Sequence, residues 1–219
     1  MQAKNLNGGQ ELICMNVDKV YDWIVNDRSF DFSPATLAIS FPTLPAGLSF
    51  DDAVVTCVVT PTEDDETDPV DILDRDDRTF IINGTQVILQ QVNIRKNFTV
   101  NIVVTIGGTS YVSEDLTFSR CEQVTLCAPD GTDIEVTYTD LDCFVCQAGL
   151  PATVSVAGTI TFTSLSVSVS TCQSIQSTYP VTVEFLAEFC EPRDVLPTPC
   201  PAPVRPDQCP VVFPNFNGA

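Results

Sequence analysis

Cysteine is the residue type that gives this sequence most of its capacity for chemistry. The chain has ten cysteines among 219 residues and no histidine. Two of the cysteines form a C-x-x-C pair, Cys143 and Cys146. A zinc site usually needs a second such pair or histidines, and a thioredoxin-like redox site needs a βαβ context, which is missing from this sequence. The pattern therefore predicts structural disulfides or buried thiols, with no metal and no cofactor.

Six of the cysteines form a block in which we predict that several pair within the chain. Such bridges stabilise a protein mainly by restricting its unfolded ensemble. The candidates for internal disulfides are Cys121, Cys127, Cys143, Cys146, Cys172 and Cys190. Cys14, Cys200 and Cys209 lie outside this block, near the two ends of the chain, and are candidates for disulfides between subunits.

The composition argues against several classes of function. Without histidine the chain lacks the commonest general base, a Ser-His-Asp triad is excluded, and we find no other catalytic constellation, so we do not expect an enzyme. There are 29 Asp and Glu against 10 Lys and Arg, a net charge of −19, which disfavours nucleic acid and anionic membrane as partners. No apolar run is long enough to span a bilayer.

The acidic residues concentrate in one segment, Glu63–Asp77, which holds nine Asp or Glu and one arginine. Carboxylate oxygens are ligands for calcium, but the segment lacks the spacing and the central glycine of an EF-hand. We predict a solvated loop whose charges repel one another, and the question of calcium stays open.

The elements that position these residues are strands. Ile134, Val136 and Tyr138 alternate with polar residues, which is the period of a half-buried strand. Asn83-Gly84 and Gly107-Gly108 each stand between two such runs and predict tight hairpins with type I′ turns. About ten strands and no long helical pattern predict an all-β protein, an antiparallel β-sandwich or jelly roll that is one domain or two β subdomains.

Three further strand features follow from the alternation. In the run Asn97–Ile106 the alternate residues form an apolar face, which consists of Phe98, Val100, Ile102, Val104 and Ile106. The run Ala53–Thr60 places Cys57 on the same face as two valines, so we expect this thiol to be buried. The run Gly158–Ser170 changes parity near Thr163, which predicts a β-bulge.

The two ends of the chain differ from this body. Residues 11–25 fit either a helix or a strand, and predict either a core segment or a connector that docks on a neighbouring subunit. The residues expected to dock are Val17, Val20, Tyr21, Trp23 and Ile24. Residues 191–219 hold eight of the sixteen prolines and predict an extended tail.

The resulting domain prediction has four parts: a connector over 1–32, a β-sandwich over 33–120, a cysteine-rich β domain over 121–190 and a Pro/Cys-rich tail over 191–219. The first ten residues show no apolar signal-peptide core, although ten cysteines favour an oxidising destination. Reduced thiols, metal binding, or assembly inside a cell that later lyses would each reconcile these two observations.

Two stretches carry a resemblance to known proteins. One is Cys14–Trp23, and the other combines Cys143-Phe144-Val145-Cys146 with the runs that begin at Cys172 and Cys190. They resemble cysteine-rich proteins of the spore coat and exosporium of spore-forming Firmicutes, and the general plan is similar to that of endospore appendage proteins. The resemblance implies a β-sandwich with an N-terminal connector, assembled in the mother cell and joined to its neighbours by disulfides and sheet augmentation.

These observations predict a self-assembling structural protein that forms a disulfide-stabilised filament or lattice on a bacterial spore surface. Its partners would be further copies of itself, joined head to tail, and other spore-surface proteins. The alternative is a ligand-binding or adhesive β-module on a cell or virion surface that does not polymerise.

Overall fold

The computed structural model describes residues 10–63 and 67–188, and in these ranges the chain is all-β. The predicted all-β class with antiparallel sheets is thereby confirmed. The strands are β1 (Gln10–Phe32), β2 (Ala38–Ser40), β3 (Val54–Pro61), β4 (Val70–Ile82), β5 (Thr85–Ile106), β6 (Thr109–Val112), β7 (Leu116–Leu126), β8 (Asp133–Gly149), β9 (Thr159–Thr161) and β10 (Ser164–Glu188).

The chain divides into two compact units. The larger comprises Val20–Tyr179, and the described parts of the smaller are residues 10–19 and 180–188. Strands β1 and β10 contribute to both units. In the smaller unit the Thr182 hydroxyl donates to Asn16 Oδ1 at 2.8 Å.

Two sheets form most of the larger unit. One has the order β1-β10-β8. In the other sheet β5 is the central strand. Strands β3 and β4 pair with successive parts of one side of β5, and strands β6 and β7 pair with successive parts of its other side. Two strands that pair with the same β5 residues must lie on opposite sides of it. A short β2-β9 pair completes the unit. The arrangement is that of a β-sandwich, while the jelly-roll alternative stays a prediction.

The core of the larger unit lies between these sheets in two clusters. In the larger cluster β5 contributes Phe98, Val100, Ile102 and Val104, all fully buried, as the alternation of this strand predicted. The smaller cluster is built on the β5, β7 and β10 residues Val92, Ile94, Val124, Leu126 and Ile175. Even-numbered residues of β5 from Val92 to Val104 therefore face the opposite sheet.

Both predicted hairpins are confirmed. Asn83 and Gly84 have φ of 51° and 78°, and Gly107 and Gly108 have φ of 56° and 82°. These values lie in the left-handed region that type I′ turns require at both central positions. The undecided segment 11–25 is strand in the structure, within β1.

Two predictions about strands were wrong. The segment Glu63–Asp77 is not a loop throughout, because β4 begins at Val70 and pairs with β5, where Arg95 hydrogen-bonds the Asp71 carboxylate. The parity change near Thr163 is not a bulge within one strand. There the chain leaves β9 and enters β10 in a different sheet, and the bulges of β10 occur at Ser166/Val167 and at Cys172/Gln173.

The predicted domain boundaries stay predictions, and the predicted tail, 191–219, lies outside the described residues.

Candidate functional site

A disulfide joins the two large sheets. Cys57 of β3 and Cys143 of β8 are bonded, with their Cα atoms 6.1 Å apart. Cys57 is half-buried on the inner face of its strand, beside Val55 and Val59. Cys143 belongs to the predicted block, whereas Cys57 does not. The bridge therefore closes the sandwich across its interior.

The remaining described cysteines are unpaired. In the larger unit Cys121, Cys146 and Cys172 are exposed and Cys127 is half-buried, and in the smaller unit Cys14 is half-buried. Internal pairing of the other block cysteines, and pairing of Cys14 between copies, stay predictions. Cys190, Cys200 and Cys209 lie outside the described residues.

The geometry of β8 separates the two members of the C-x-x-C pair. Residues three apart in a strand point to opposite faces, so Cys143 faces the interior and Cys146 faces outward. Cys146 also sits at a bulge, because its neighbours Val145 and Gln147 are paired with consecutive residues of β10. Within the described ranges, no three Cys, Asp or Glu side chains come close enough to hold a metal ion.

Strand β1 is an edge strand, since in the described residues it pairs with β10 alone. Tyr21, Trp23 and Val25 line its outer face, where Trp23 is 61% and Val25 65% exposed. The Trp23 indole N–H donates to Ser174 Oγ at 2.6 Å, which fixes the ring over β10. Ile24 points the other way and packs in the smaller core cluster.

Two other residues predicted to dock, Val17 in the smaller unit and Val20 in the larger, are exposed. Docking of the predicted set on a neighbouring copy stays a prediction.

Sequence reasoning missed a cluster of polar side chains between the sheets. Lys96 of β5 is only 4% exposed, and its ammonium group donates to Glu122 of β7 and to Gln173 of β10. Gln173 Nε2 lies 2.8 Å from Glu122 Oε2 and 2.6 Å from Asn26 Oδ1. The other carboxylate oxygen, Glu122 Oε1, accepts hydrogen bonds from Asn26 Nδ2 at 2.9 Å and from Arg28 Nε at 3.3 Å.

The sequence did contain a signal for this cluster. Lys96 shares the parity of Val92, Ile94 and Phe98, and Glu122 shares that of Val124, so alternation alone places both charged groups on inner faces. A charge on an inner face needs a partner of opposite charge, because an isolated ion in the interior costs several kcal/mol of solvation.

Burial and hydrogen bonding act on the ionisation of these groups. Burial lowers the pKa of Lys96, and the hydrogen bond to Glu122 opposes that change only in part. Burial alone would raise the pKa of Glu122, but hydrogen bonds from Lys96 and Gln173 hold it below its ordinary value. Burial, and then the charge of Glu122, raises the pKa of Tyr138, whose hydroxyl is buried without a hydrogen-bond partner in the described residues.

Comparison with protein families, with curated proteins and with solved structures finds no match to this chain. In the part of the chain that the structure describes, there is no helix that could span a membrane.

Proposed function

We propose that this protein is a self-assembling structural subunit whose copies join along β1 into a filament or lattice stabilised by disulfides. The observation that carries the proposal is the edge of β1, which among the described residues pairs with β10 alone and whose outer face presents Tyr21, Trp23 and Val25 to solvent.

An open strand edge is a template for pairing with another chain. Folded proteins usually blunt such edges with prolines, charges or bulges, or cover them. Between Val20 and Val25 the only charged residue of β1 is Asp22, and its carboxylate accepts a hydrogen bond from the Cys127 backbone N–H at 2.8 Å. A strand added beside β1 would gain main-chain hydrogen bonds, and its side chains on the same face would contact the exposed apolar row.

The smaller unit offers further apolar surface. Met15 and Val17 of β1 and Val183 and Phe185 of β10 are exposed there. Covering such side chains with a second copy removes apolar area from water, which contributes about 25 cal/mol per Å².

Exposed thiols supply the covalent joints of the proposed assembly. Cys146 and Cys172 lie on the outer face of the sheet that contains β1 and are unpaired in the described residues. A disulfide between copies would lock a contact made by this face. Cys14, Cys200 and Cys209 remain the candidates predicted from the sequence.

We propose head-to-tail joining, since contacts between different surfaces do not close on themselves and so extend into filaments or lattices. The location that we propose is a bacterial spore surface, with other proteins of that surface as further partners. It rests on the sequence resemblance alone. No catalytic role is part of the proposal.

The test is the mass of the full chain as a function of concentration, measured by light scattering under oxidising conditions. We expect wild type to form a ladder of species and Val25→Lys to remain monomeric, because a lysine on the edge strand must be desolvated when a second strand pairs there. Ile81→Lys is the matched control: Ile81 is 79% exposed on β4 of the other sheet, and this variant should assemble like wild type.

Equal assembly of Val25→Lys and wild type would overturn the proposal that β1 forms the joint. A wild-type chain that stays monomeric at all concentrations would instead favour the alternative, a ligand-binding or adhesive β-module.

A further inference from the structure

A cleft beside the polar cluster concentrates positive charge in a strongly acidic protein. It has a volume of about 310 Å³ and lies between β1 and β7. Among the described residues its lining includes three of the ten Lys and Arg, which are Arg28, Lys96 and Arg120, and one of the 29 Asp and Glu, which is Glu122. The formal charge of the lining is therefore +2, against −19 for the chain.

The hydrogen bonds of the cluster leave this charge unbalanced. Glu122 is shared by the Lys96 ammonium group and by Arg28 Nε. The structure gives no protein partner, among the described residues, to the two terminal nitrogens of Arg28. Because the described residues bind the Arg28 guanidinium through Nε alone, its outer N–H groups face no described acceptor and can donate to a ligand in the cleft.

Arg120, on the opposite wall, is held in place by its surroundings. Its Nη2 donates to the Asp31 carbonyl at 2.6 Å, and its guanidinium carbon lies 5.4 Å from the centre of the Phe30 ring and 5.6 Å from that of Phe118. A guanidinium stacked in this way loses little further freedom when it binds a ligand. Phe30 also lines the cleft and gives it an apolar wall.

We propose that this cleft binds a small organic carboxylate, with the carboxylate between Arg28 and Arg120 and an apolar portion against Phe30. Guanidinium groups match the planar fork of a carboxylate and bind it through paired hydrogen bonds. The volume lies at the lower end of the range for small-molecule sites, so the ligand is about the size of a substituted benzoate. The β1 residues of this site, Arg28 to Phe30, follow the Tyr21–Val25 stretch proposed for assembly and are not part of it.

The experiment titrates the full chain with 3-phenylpropionate, followed by isothermal calorimetry and by NMR shifts of backbone amides. The matched probes are 3-phenylpropionamide, which lacks the charge, and inorganic phosphate, which lacks the apolar group. We expect saturable binding of the carboxylate, at least about tenfold weaker binding of the amide, and weaker binding of phosphate.

Three variants locate the site. Arg120→Gln and Arg28→Gln should each weaken carboxylate binding about tenfold or more. The affinity of Arg120→Lys should lie between those of these variants and wild type, because lysine keeps the positive charge and loses the paired N–H donors of the guanidinium. Arg78→Gln removes the same charge from the exposed surface of β4 and should bind like wild type. The thermal unfolding midpoint of each variant shows whether it is folded. If Arg120→Gln is unfolded, the comparison of Arg28→Gln with wild type tests the proposal.

Several results would overturn the proposal: binding that does not saturate, an amide that binds as well as the acid, or Arg78→Gln that weakens binding as much as the cleft variants do. If phosphate bound as tightly as the carboxylate, the proposed contact between Phe30 and an apolar part of the ligand would be wrong. Repeating the titration on Val25→Lys separates the two proposals, because a failure of assembly leaves this binding unchanged.

Discussion

The buried pair of Lys96 and Glu122 is tolerated because several neutral side chains share its hydrogen bonds. The side chains of Lys96 and Glu122 are 5% and 11% exposed. Asn26 and Gln173 each donate a hydrogen bond to the Glu122 carboxylate, and the Gln173 side-chain oxygen accepts one from Lys96. A buried ion pair contributes little net stability compared with apolar packing, but the loss of one partner is costly.

Glu122→Gln should therefore lower the free energy of unfolding by about 3 kcal/mol at neutral pH, since it leaves the Lys96 charge buried without its counter-ion. Urea denaturation measures the change. Glu135→Gln is the control, because Glu135 is exposed on β8, and it should change stability by less than about 0.5 kcal/mol. Equal losses of stability in the two variants would show that the buried ion pair contributes no more to stability than an exposed carboxylate does.

The cost of Glu122→Gln should also depend on pH. The pKa of Glu122 is lowered in the folded state, so its contribution is complete above its ordinary pKa of 4.5 and is lost as pH falls through the folded value. The stability difference between wild type and Glu122→Gln should thus shrink below about pH 4.5. A difference that is constant from pH 7 to pH 3 would contradict the assigned charge state.

Tyr138 presents the opposite situation, a buried hydroxyl that has no hydrogen-bond partner among the described residues. Tyr138→Phe removes that group and keeps the ring that packs against Phe98, so we expect a gain of about 1 kcal/mol in the free energy of unfolding. Tyr179→Phe, at an exposed tyrosine, is the control and should have no measurable effect. A loss of stability in Tyr138→Phe would show that the hydroxyl does have a partner.

Among the described elements, a covalent bond joins β3 to β8. Cys57 and Cys143 are separated by 86 positions in the sequence, and closing a loop of that length corresponds to about 4.6 kcal/mol in the chain-entropy model. The double variant Cys57→Ala/Cys143→Ala should lose about that amount in urea denaturation. Cys146→Ala, at the outward thiol of the same strand, is the control and should keep wild-type stability. A double variant as stable as wild type would show that strain offsets the entropic gain.

On the scale of the whole molecule, the net charge of −19 opposes contact between copies. We expect assembly to begin at a lower protein concentration as NaCl rises from about 0.1 M to about 1 M, since the screening length falls from about 10 Å to about 3 Å. Light scattering at each salt concentration measures this, with Val25→Lys as the variant that should stay monomeric throughout. Assemblies that dissolve in salt would show instead that ion pairs hold the joints.

The sequence by itself determined the all-β class, the two tight hairpin turns and the inner face of β5. Alternation and positive-φ turn residues act over a few residues, so Asn83-Gly84, Gly107-Gly108 and the apolar face of β5 could be predicted without knowledge of the fold. The same local rule places Lys96 and Glu122 on inner faces, because it holds for charged residues as well as for apolar ones.

Only the tertiary structure decided which faces and edges meet. The bridge between Cys57 and Cys143 depends on two strands of different sheets, and the change of sheet at Thr163 looks locally like a bulge. The partnership of Lys96 with Glu122, and the cleft beside them, depend on the register of β7 on β5 and on the opposite sheet. Such contacts join residues far apart in sequence, and the pattern within one strand carries no information about which strand will face it.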